Sequence, residues 1–396
     1  MSQTITSQAR ETPPRPQPVA MTEDDRAAIL EAVRDFAATE IAPHALEWDE
    51  NKHFPRDVLA RAGELGLGGL YVAEDVGGTA LARVDAVTIV EELAQADPSI
   101  AAYITIHNMV AWMIDTYGTD AQREEWLPRL TAMTDFGGYC LTEPGAGSDA
   151  AALTTSAVRQ GDEFVLTGVK QFISGGGEAS VYVVMARTGE PGAKGITAFL
   201  VPGDAAGLSF GANEKKMGWN AQPTRQVILD EVRVPAANIL GEEGRGFRIA
   251  MTALNGGRIN IAACSLGGAQ WELDRAIRYV HERFTFGEPL AEKQAVVFAL
   301  ADMATELRAA RAMVRDAALA LDRHAPDVAM QCAMAKRFAT DVGFRVANEA
   351  LQLHGGYGYL HDYGIEKVVR DLRVHQILEG TNEIMRVIIG RELLEG

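Results

Sequence analysis

The chain has 396 residues, enough for about two to four domains and a large core that needs no disulfide or metal. Lys+Arg number 37 against 54 Asp+Glu, a net charge of −17, which argues against nucleic-acid binding because that affinity rests on neutralising phosphates; a local basic pocket can still hold an anion. Mean hydropathy is −0.04 and no run of about 18 apolar residues occurs, so no membrane span is expected, and the three separated cysteines (Cys140, Cys264, Cys332) form no metal-like or redox pair and fit a reduced compartment.

Residues 1–20 carry Pro13, Pro14, Pro16 and Pro18 among Ser, Thr and Gln, and read as a disordered tail. They lack the apolar stretch of a secretion signal, while their two Arg and several hydroxyls leave a transit peptide open. Residues 21–136 read as an all-α domain. Thr22 and Asp25 suggest a capping box before Ile29, Leu30, Val33 and Phe36 at helical spacing. Pro55 opens another helix, and Asp97–Pro98 precedes SIAAYITIHNMVAWMIDTYG, a largely buried helix stopping at Gly118.

From 137 to 243 the pattern changes. Gly and Pro recur between short β-branched runs (EFVLTGV, SVYVVMAR, GITAFLVP, RQVILDEVRVP), which predicts a small β domain, a barrel or a sandwich. Over 244–396 the helical period returns. Between Pro289 and Pro326 neither Gly nor Pro interrupts it, so one helix could reach roughly 50 Å. Further helices over 327–353, 363–378 and 381–395 complete a C-terminal bundle. The fold class is α+β: helical domain, β domain, helical bundle.

Common sites are missing. No GxxxxGK[ST], strand-to-helix GxGxxG, HExxH or CxxC occurs, and the eight histidines are scattered, which speaks against metal catalysis. Four segments stand out instead. In YCLTEPGAGSDA, Pro144, Gly145 and Gly147 force an irregular loop with exposed N–H groups, suited to a phosphate or a heteroatom-rich cofactor; read alone it also fits a polar domain connection. In GVKQFISGG, Phe172 and Ser174 share one face of a strand, an aromatic beside a hydroxyl, or else a core Phe and a turn Ser. In LNGGRINIA, Gly256 and Gly257 cost helix stability of about 1 kcal/mol each, so something approaches closely or two helices pack there, with Arg258 alongside. In VHQILEGTNEIMR, Glu379 ends an apolar helix before Gly380, where burial would raise its pKa and suit a general base; a solvated helix end is the plainer alternative.

Together and in this order, YCLTEPGAGSD, FIS, RFTFGEPLAEKQ, QLHGGYGY and QILEGTNEIMR resemble the acyl-CoA dehydrogenase family over about residues 22–396. AAYITIHNM, GWNAQPTR, LNGGRINIA and RVHQILEGTNE resemble its short branched-chain branch. The resemblance implies that family's fold with a C-terminal four-helix bundle, FAD as cofactor, an acyl-CoA substrate, electron transfer to an electron-transfer flavoprotein, and a homotetramer built as a dimer of dimers. It makes Glu379 the base. In the isovaleryl and long-chain branches the base is a Glu at the position of Gly257, so those branches are disfavoured. Tyr139, Leu141, Thr142, Ser148, Phe172, Ile173 and Ser174 would line the flavin, with Ser148 also reaching the thioester. Arg283, Lys293, Gln294, Gln352, His354, Gly355 and Gly356 would hold the FAD of a neighbouring subunit, and Thr381, Asn382 and Glu383 would lie beside its diphosphate. Asn255, Gly256, Gly257, Arg258 and Arg391 would contact CoA. The implied reaction takes isobutyryl-CoA to methacrylyl-CoA in valine catabolism, in the cytoplasm of a bacterium or, with a transit peptide, in the mitochondrial matrix. 2-Methylbutyryl-CoA or butyryl-CoA as substrate, an oxidase and a non-catalytic scaffold are the alternatives. The helix after Pro98 would line the acyl pocket with Tyr103, Ile104, His107, Asn108 and Trp112.

Overall fold

A computed structural model describes residues 21–395; the tail over 1–20 lies outside the described residues. Helix α1 (Glu23–Phe36) starts on the expected capping box. The Asp25 N–H donates to the Thr22 hydroxyl and the Thr22 N–H to the Asp25 carboxylate, both at 3.1 Å. A π-helical turn (Ala37–Ile41) leads to α2 (Ala45–Asn51), α3 (Arg56–Glu64) and α4 (Arg83–Ala96). Helix α5 (Pro98–Tyr117) is capped by the Asp97 carboxylate, which accepts the Ser99 and Ile100 N–H groups, and it stops at Gly118; α6 (Asp120–Thr131) follows. Most of α5 is buried because it runs through the N-terminal core and onto the β domain.

The β domain is one eight-stranded sheet of two halves. Strands β1 (Gly137–Cys140), β4 (Val181–Arg187), β5 (Ile196–Pro202) and β8 (Ile239–Leu240) form one; β2 (Ser156–Gln160), β3 (Glu163–Ser174), β6 (Leu208–Phe210) and β7 (Thr224–Pro235) form the other. They join where β2 meets β4 at Ser156 and Arg187. Alternation along β4 explains the layering. Tyr182, Val184 and Ala186 pack inward with Phe164, Val227 and Phe199, while Val181, Val183 and Met185 face helical residues such as Ile249 and Ala253. Buried on both faces, β4 reads as a continuous apolar run.

Helix α7 (Gly246–Glu282) is 37 residues long and passes unbroken through Gly256–Gly257. A short hairpin, β9 (Phe284–Thr285) and β10 (Glu288–Pro289), leads to α8 (Gln294–Asp322), 29 residues long. Helix α9 (Val328–His354) packs on α7 and α8, α10 (Ile365–His375) packs on α7 and α9, and α11 (Asn382–Glu395) lies on α9. The β domain is tied to α10 around Trp219. The Trp219 N–H donates to Asp371 at 2.5 Å and its indole N–H to His375 at 3.2 Å, while Lys367 bridges Asp371 and Asp97 at 2.8 Å each. That strut fixes the helix from which the next loop departs.

Candidate active site

That loop carries Glu379. The sequence reading placed Glu379 at a helix end; α10 in fact stops at His375, and Glu379 lies in the connection to α11 with φ 57°, followed by Gly380 at 88°. A left-handed non-glycine residue costs free energy and persists only when its surroundings impose it. The imposing contact is α7. A Cβ on Gly257 would stand 2.5 Å from Glu379 Oε2. Glycine at this position is what lets the carboxylate lie against the helix.

Oε2 is buried without a hydrogen-bond partner among the described residues. Burial pushes the Glu379 pKa up to about 7, with Arg258 and then Lys336 pulling it back. Arg258 is itself buried, which lowers its pKa; its Nε donates to the Glu379 carbonyl at 3.4 Å and its Nη1 to Asn255 Oδ1 at 2.8 Å. Lys336, on α9, had no role in the sequence reading. Its Nζ donates to the Gly380 carbonyl at 2.8 Å and to Asn382 Oδ1 at 2.9 Å, and burial lowers its pKa to about 7. A lysine on the apolar face of α9 was the available signal. The Tyr139 hydroxyl is also buried and unpartnered among the described residues, within the field of Glu379 and Arg258.

The Thr142–Ser148 loop is held by a second unanticipated pair. Glu143 and Ala146 exchange backbone hydrogen bonds at 3.1 Å across Pro144–Gly145. The Glu143 carboxylate accepts from Lys170 Nζ at 2.8 Å and from the Thr154 and Thr155 N–H groups at 2.6 and 2.9 Å. Lys170 and these N–H donors outweigh burial and hold the Glu143 pKa down near 2. The strut leaves Gly145 and Gly147 with open space around them, and Ser148 exposed. The Thr142 carbonyl accepts from the Gln171 N–H at 2.8 Å, tying the loop to β3. There the β3–β7 register shifts, Phe172 takes φ 58°, and the residue is 64% exposed. Phe172 is therefore exposed rather than a core residue, and Ser174 is half-buried. The Ile173 and Leu141 side chains instead belong to the core.

Arg283, Gly355, Gly356 and His354 share an open cleft of about 530 Å³ between the end of α7 and the turn after α9. The His354 imidazole is committed within the chain: it stacks on Tyr279 at 4.3 Å and its Nδ1 pairs with the Ala350 carbonyl at 2.7 Å, making it a wall of the cleft rather than a free donor. Lys293 pairs with Glu288, while Gln294 and Gln352 are exposed. Thr381 caps α11 by accepting the Ile384 N–H at 3.3 Å. Asn382 is buried and bonded to Lys336, Thr340 and Asp341, so its amide anchors the loop; Glu383 is exposed beside Arg386. Arg391 is exposed on α11, roughly 14 Å along the helix from Asn382, and is not brought to Glu379.

The expected pocket wall on α5 is also corrected. Tyr103, Ile104, His107 and Asn108 have no exposed surface. Tyr103 packs edge-to-face against Phe54 and Phe136; His107 accepts the Gly137 N–H and pairs with the Leu130 carbonyl; Asn108 bonds the Leu67 carbonyl and the Leu70 N–H. Only Trp112 of that set keeps open surface.

Three consecutive domain families cover the chain: the acyl-CoA dehydrogenase N-terminal domain over 23–134, its middle domain over 138–232 and its C-terminal domain over 244–394. The chain belongs to the acyl-CoA dehydrogenase family and is an oxidoreductase. Within that family it is 55% identical to the mitochondrial isobutyryl-CoA dehydrogenase of Dictyostelium discoideum over 95% of this chain and 90% of that one. It is also 55% identical to the Bos taurus protein of the same name, over 91% and 87%. Among solved structures, a Mycobacterium smegmatis glutaryl-CoA dehydrogenase in complex with FADH2 matches with a TM-score of 0.89 at 29% identity, covering 95% of this chain and 96% of that one.

Proposed function

We propose that this chain is an FAD-dependent dehydrogenase of short branched acyl-CoA thioesters, with isobutyryl-CoA first and 2-methylbutyryl-CoA second. The observation that carries the reading is Glu379: a buried, unpartnered carboxylate seated on Gly257 with a pKa of about 7. A base poised there can remove a weakly acidic α-proton near neutral pH. The two isobutyryl-CoA dehydrogenases at 55% identity support the choice of acyl group.

The residues fit FAD. Phe172 offers an exposed aromatic face at a left-handed backbone position, Gly145 and Gly147 open a polar loop beside it, and Arg283 with Gly355 and Gly356 lines a cleft able to take an anionic group. Phe172, Ser174, Thr142 and Ser148 would hold the ring, and the Arg283 cleft the diphosphate and adenosine. When bound, FAD supplies the acceptor for the hydride leaving the β-carbon.

The chain's own groups do the rest. Glu379 Oε2 takes the α-proton. The Glu379 N–H makes no hydrogen bond among the described residues and is free to stabilise the negative charge developing on the thioester oxygen. Arg258 and Lys336 hold the loop through the Glu379 and Gly380 carbonyls and favour ionised Glu379. The proposed electron acceptor is an electron-transfer flavoprotein.

The proposed assembly is a homotetramer, a dimer of dimers with FAD shared between subunits. Phe286, 99% exposed at the β9–β10 tip, and the exposed Phe298 and Tyr359 of the C-terminal region are apolar side chains that a partner would cover. Among the described residues no helix is long and apolar enough to cross a membrane. Both relatives are mitochondrial by name, which supports a matrix location if residues 1–20 act as a transit peptide and leaves the cytoplasm otherwise.

Glu379→Gln tests the assignment. The variant should keep FAD and bind isobutyryl-CoA, yet reduce the flavin about 10³-fold more slowly or worse. Reduction at the wild-type rate in stopped flow removes Glu379 from the role.

A further inference from the structure

Arg83 opens α4, and its guanidinium carbon lies 3.5 Å from the Tyr71 ring centroid and 5.1 Å from that of Trp112. A Cβ on Gly256 would stand 2.8 Å from Arg83 Nη1, just as one on Gly257 would meet the Glu379 carboxylate. Adjacent glycines of α7 therefore seat the base and a cation on one turn of the helix. Tyr71 belongs to the same space: its hydroxyl accepts from Asn260 Nδ2 at 3.1 Å and its ionisation feels Glu379.

No carboxylate forms an ion pair with the Arg83 side chain among the described residues. Asp322 accepts instead from the backbone N–H groups of Arg83 and Val84, at 2.7 and 3.2 Å. Burial pulls the Arg83 pKa down. A deeply placed cation without a carboxylate is less stable than an apolar wall of the same volume, and two aromatic faces offset only part of that difference. The Tyr71 hydroxyl takes one of the Arg83 hydrogen bonds, and the remaining donors are left to water.

Building on the acyl-CoA reading above, we propose that Arg83, clamped between Tyr71 and Trp112, is the end wall that limits acyl length. A four-carbon acyl group stops short of the guanidinium and leaves its donors hydrated. A longer chain meets a rigid planar group and strips water from a cation, so desolvation adds to the steric barrier. Arg83 determines specificity and takes no part in the proton or hydride transfer.

The test uses the FAD-loaded wild type, Arg83→Met, Arg83→Lys and Trp112→Leu. The readout is the kcat/KM ratio of octanoyl-CoA to isobutyryl-CoA in each preparation, which does not depend on the fraction of active enzyme. The ratio should rise about 10–100-fold in R83M, in line with the discrimination available from a few methylenes, and by less in R83K and W112L. An unchanged ratio in R83M overturns the proposal, and if R83M fails to fold, an unchanged ratio in W112L does so. So does wild-type binding of the carboxylate-ended succinyl-CoA more tightly than butyryl-CoA, lost in R83M, since Arg83 would then be a receptor for an anionic acyl end. A wild type whose flavin is reduced by none of these acyl-CoAs would refute the proposed function itself.

Discussion

Gly257→Ala separates catalysis from stability. The added Cβ would stand 2.5 Å from Glu379 Oε2 and 2.8 Å from its Cδ. Ordinary contact begins near 3.4 Å, so the carboxylate must retreat by about 0.9 Å. The three nearest atoms all belong to the far end of this one flexible side chain, so it is the group that has to give. Within a helix interior, alanine is also about 1 kcal/mol more favourable than glycine. The melting temperature should therefore hold or rise. Reaction geometry is far less tolerant: a misplacement of about 1 Å at the reacting atoms costs on the order of 10²-fold, or roughly 2.7 kcal/mol of barrier. Flavin reduction by isobutyryl-CoA should fall by about that factor, with FAD content and the thermal transition preserved. Wild-type kcat in a folded G257A enzyme would show that the Gly257–Glu379 contact does not set the position of the base. A large fall in melting temperature would show instead that the helix cannot absorb the methyl group.

Because burial raises the Glu379 pKa to about 7, kcat/KM of the free enzyme should rise with pH through a midpoint near 7, and Lys336→Met should move that midpoint upward; a pH–rate profile checks both. The same shift means that folded Glu379 binds more protons than unfolded between its ordinary 4.5 and 7, so its contribution to stability is full below that window and is lost as pH rises through it, as urea titrations of E379Q against wild type would reveal. Lys170→Met strands the Glu143 carboxylate and should cost about 3–5 kcal/mol in denaturant unfolding while loosening FAD, read as absorbance ratio. Phe286→Asp should reduce the assembly below a tetramer and lower FAD retention, measured by light scattering and flavin content; an intact tetramer would place the interface elsewhere.

Local features of this protein were set by local sequence. The Thr22–Asp25 cap, the Asp97–Pro98 start of α5, the uninterrupted α8 and the switch to short strands near Gly137 all rest on neighbours within a few residues, where backbone propensity and hydrophobic period act directly. The Pro144–Gly147 loop, Phe172 and Glu379 were legible too, as residue types that an ordinary core would not place there. What each of them touches was decided by the closed fold. Gly256 and Gly257 announced a close approach, but only the return of the chain after α10 set Glu379 against one, and only the start of α4 laid Arg83 against the other. Tyr103, His107 and Asn108 sit on the same helix as Trp112, yet the packing of α5 turned them into the core and left Trp112 open. Glu143–Lys170 and Lys336–Asn382 pair residues from different elements, and no local period encodes such a partner. Helical and strand periods fix which face of an element is apolar; which distant side chain meets that face depends on how all the elements pack at once.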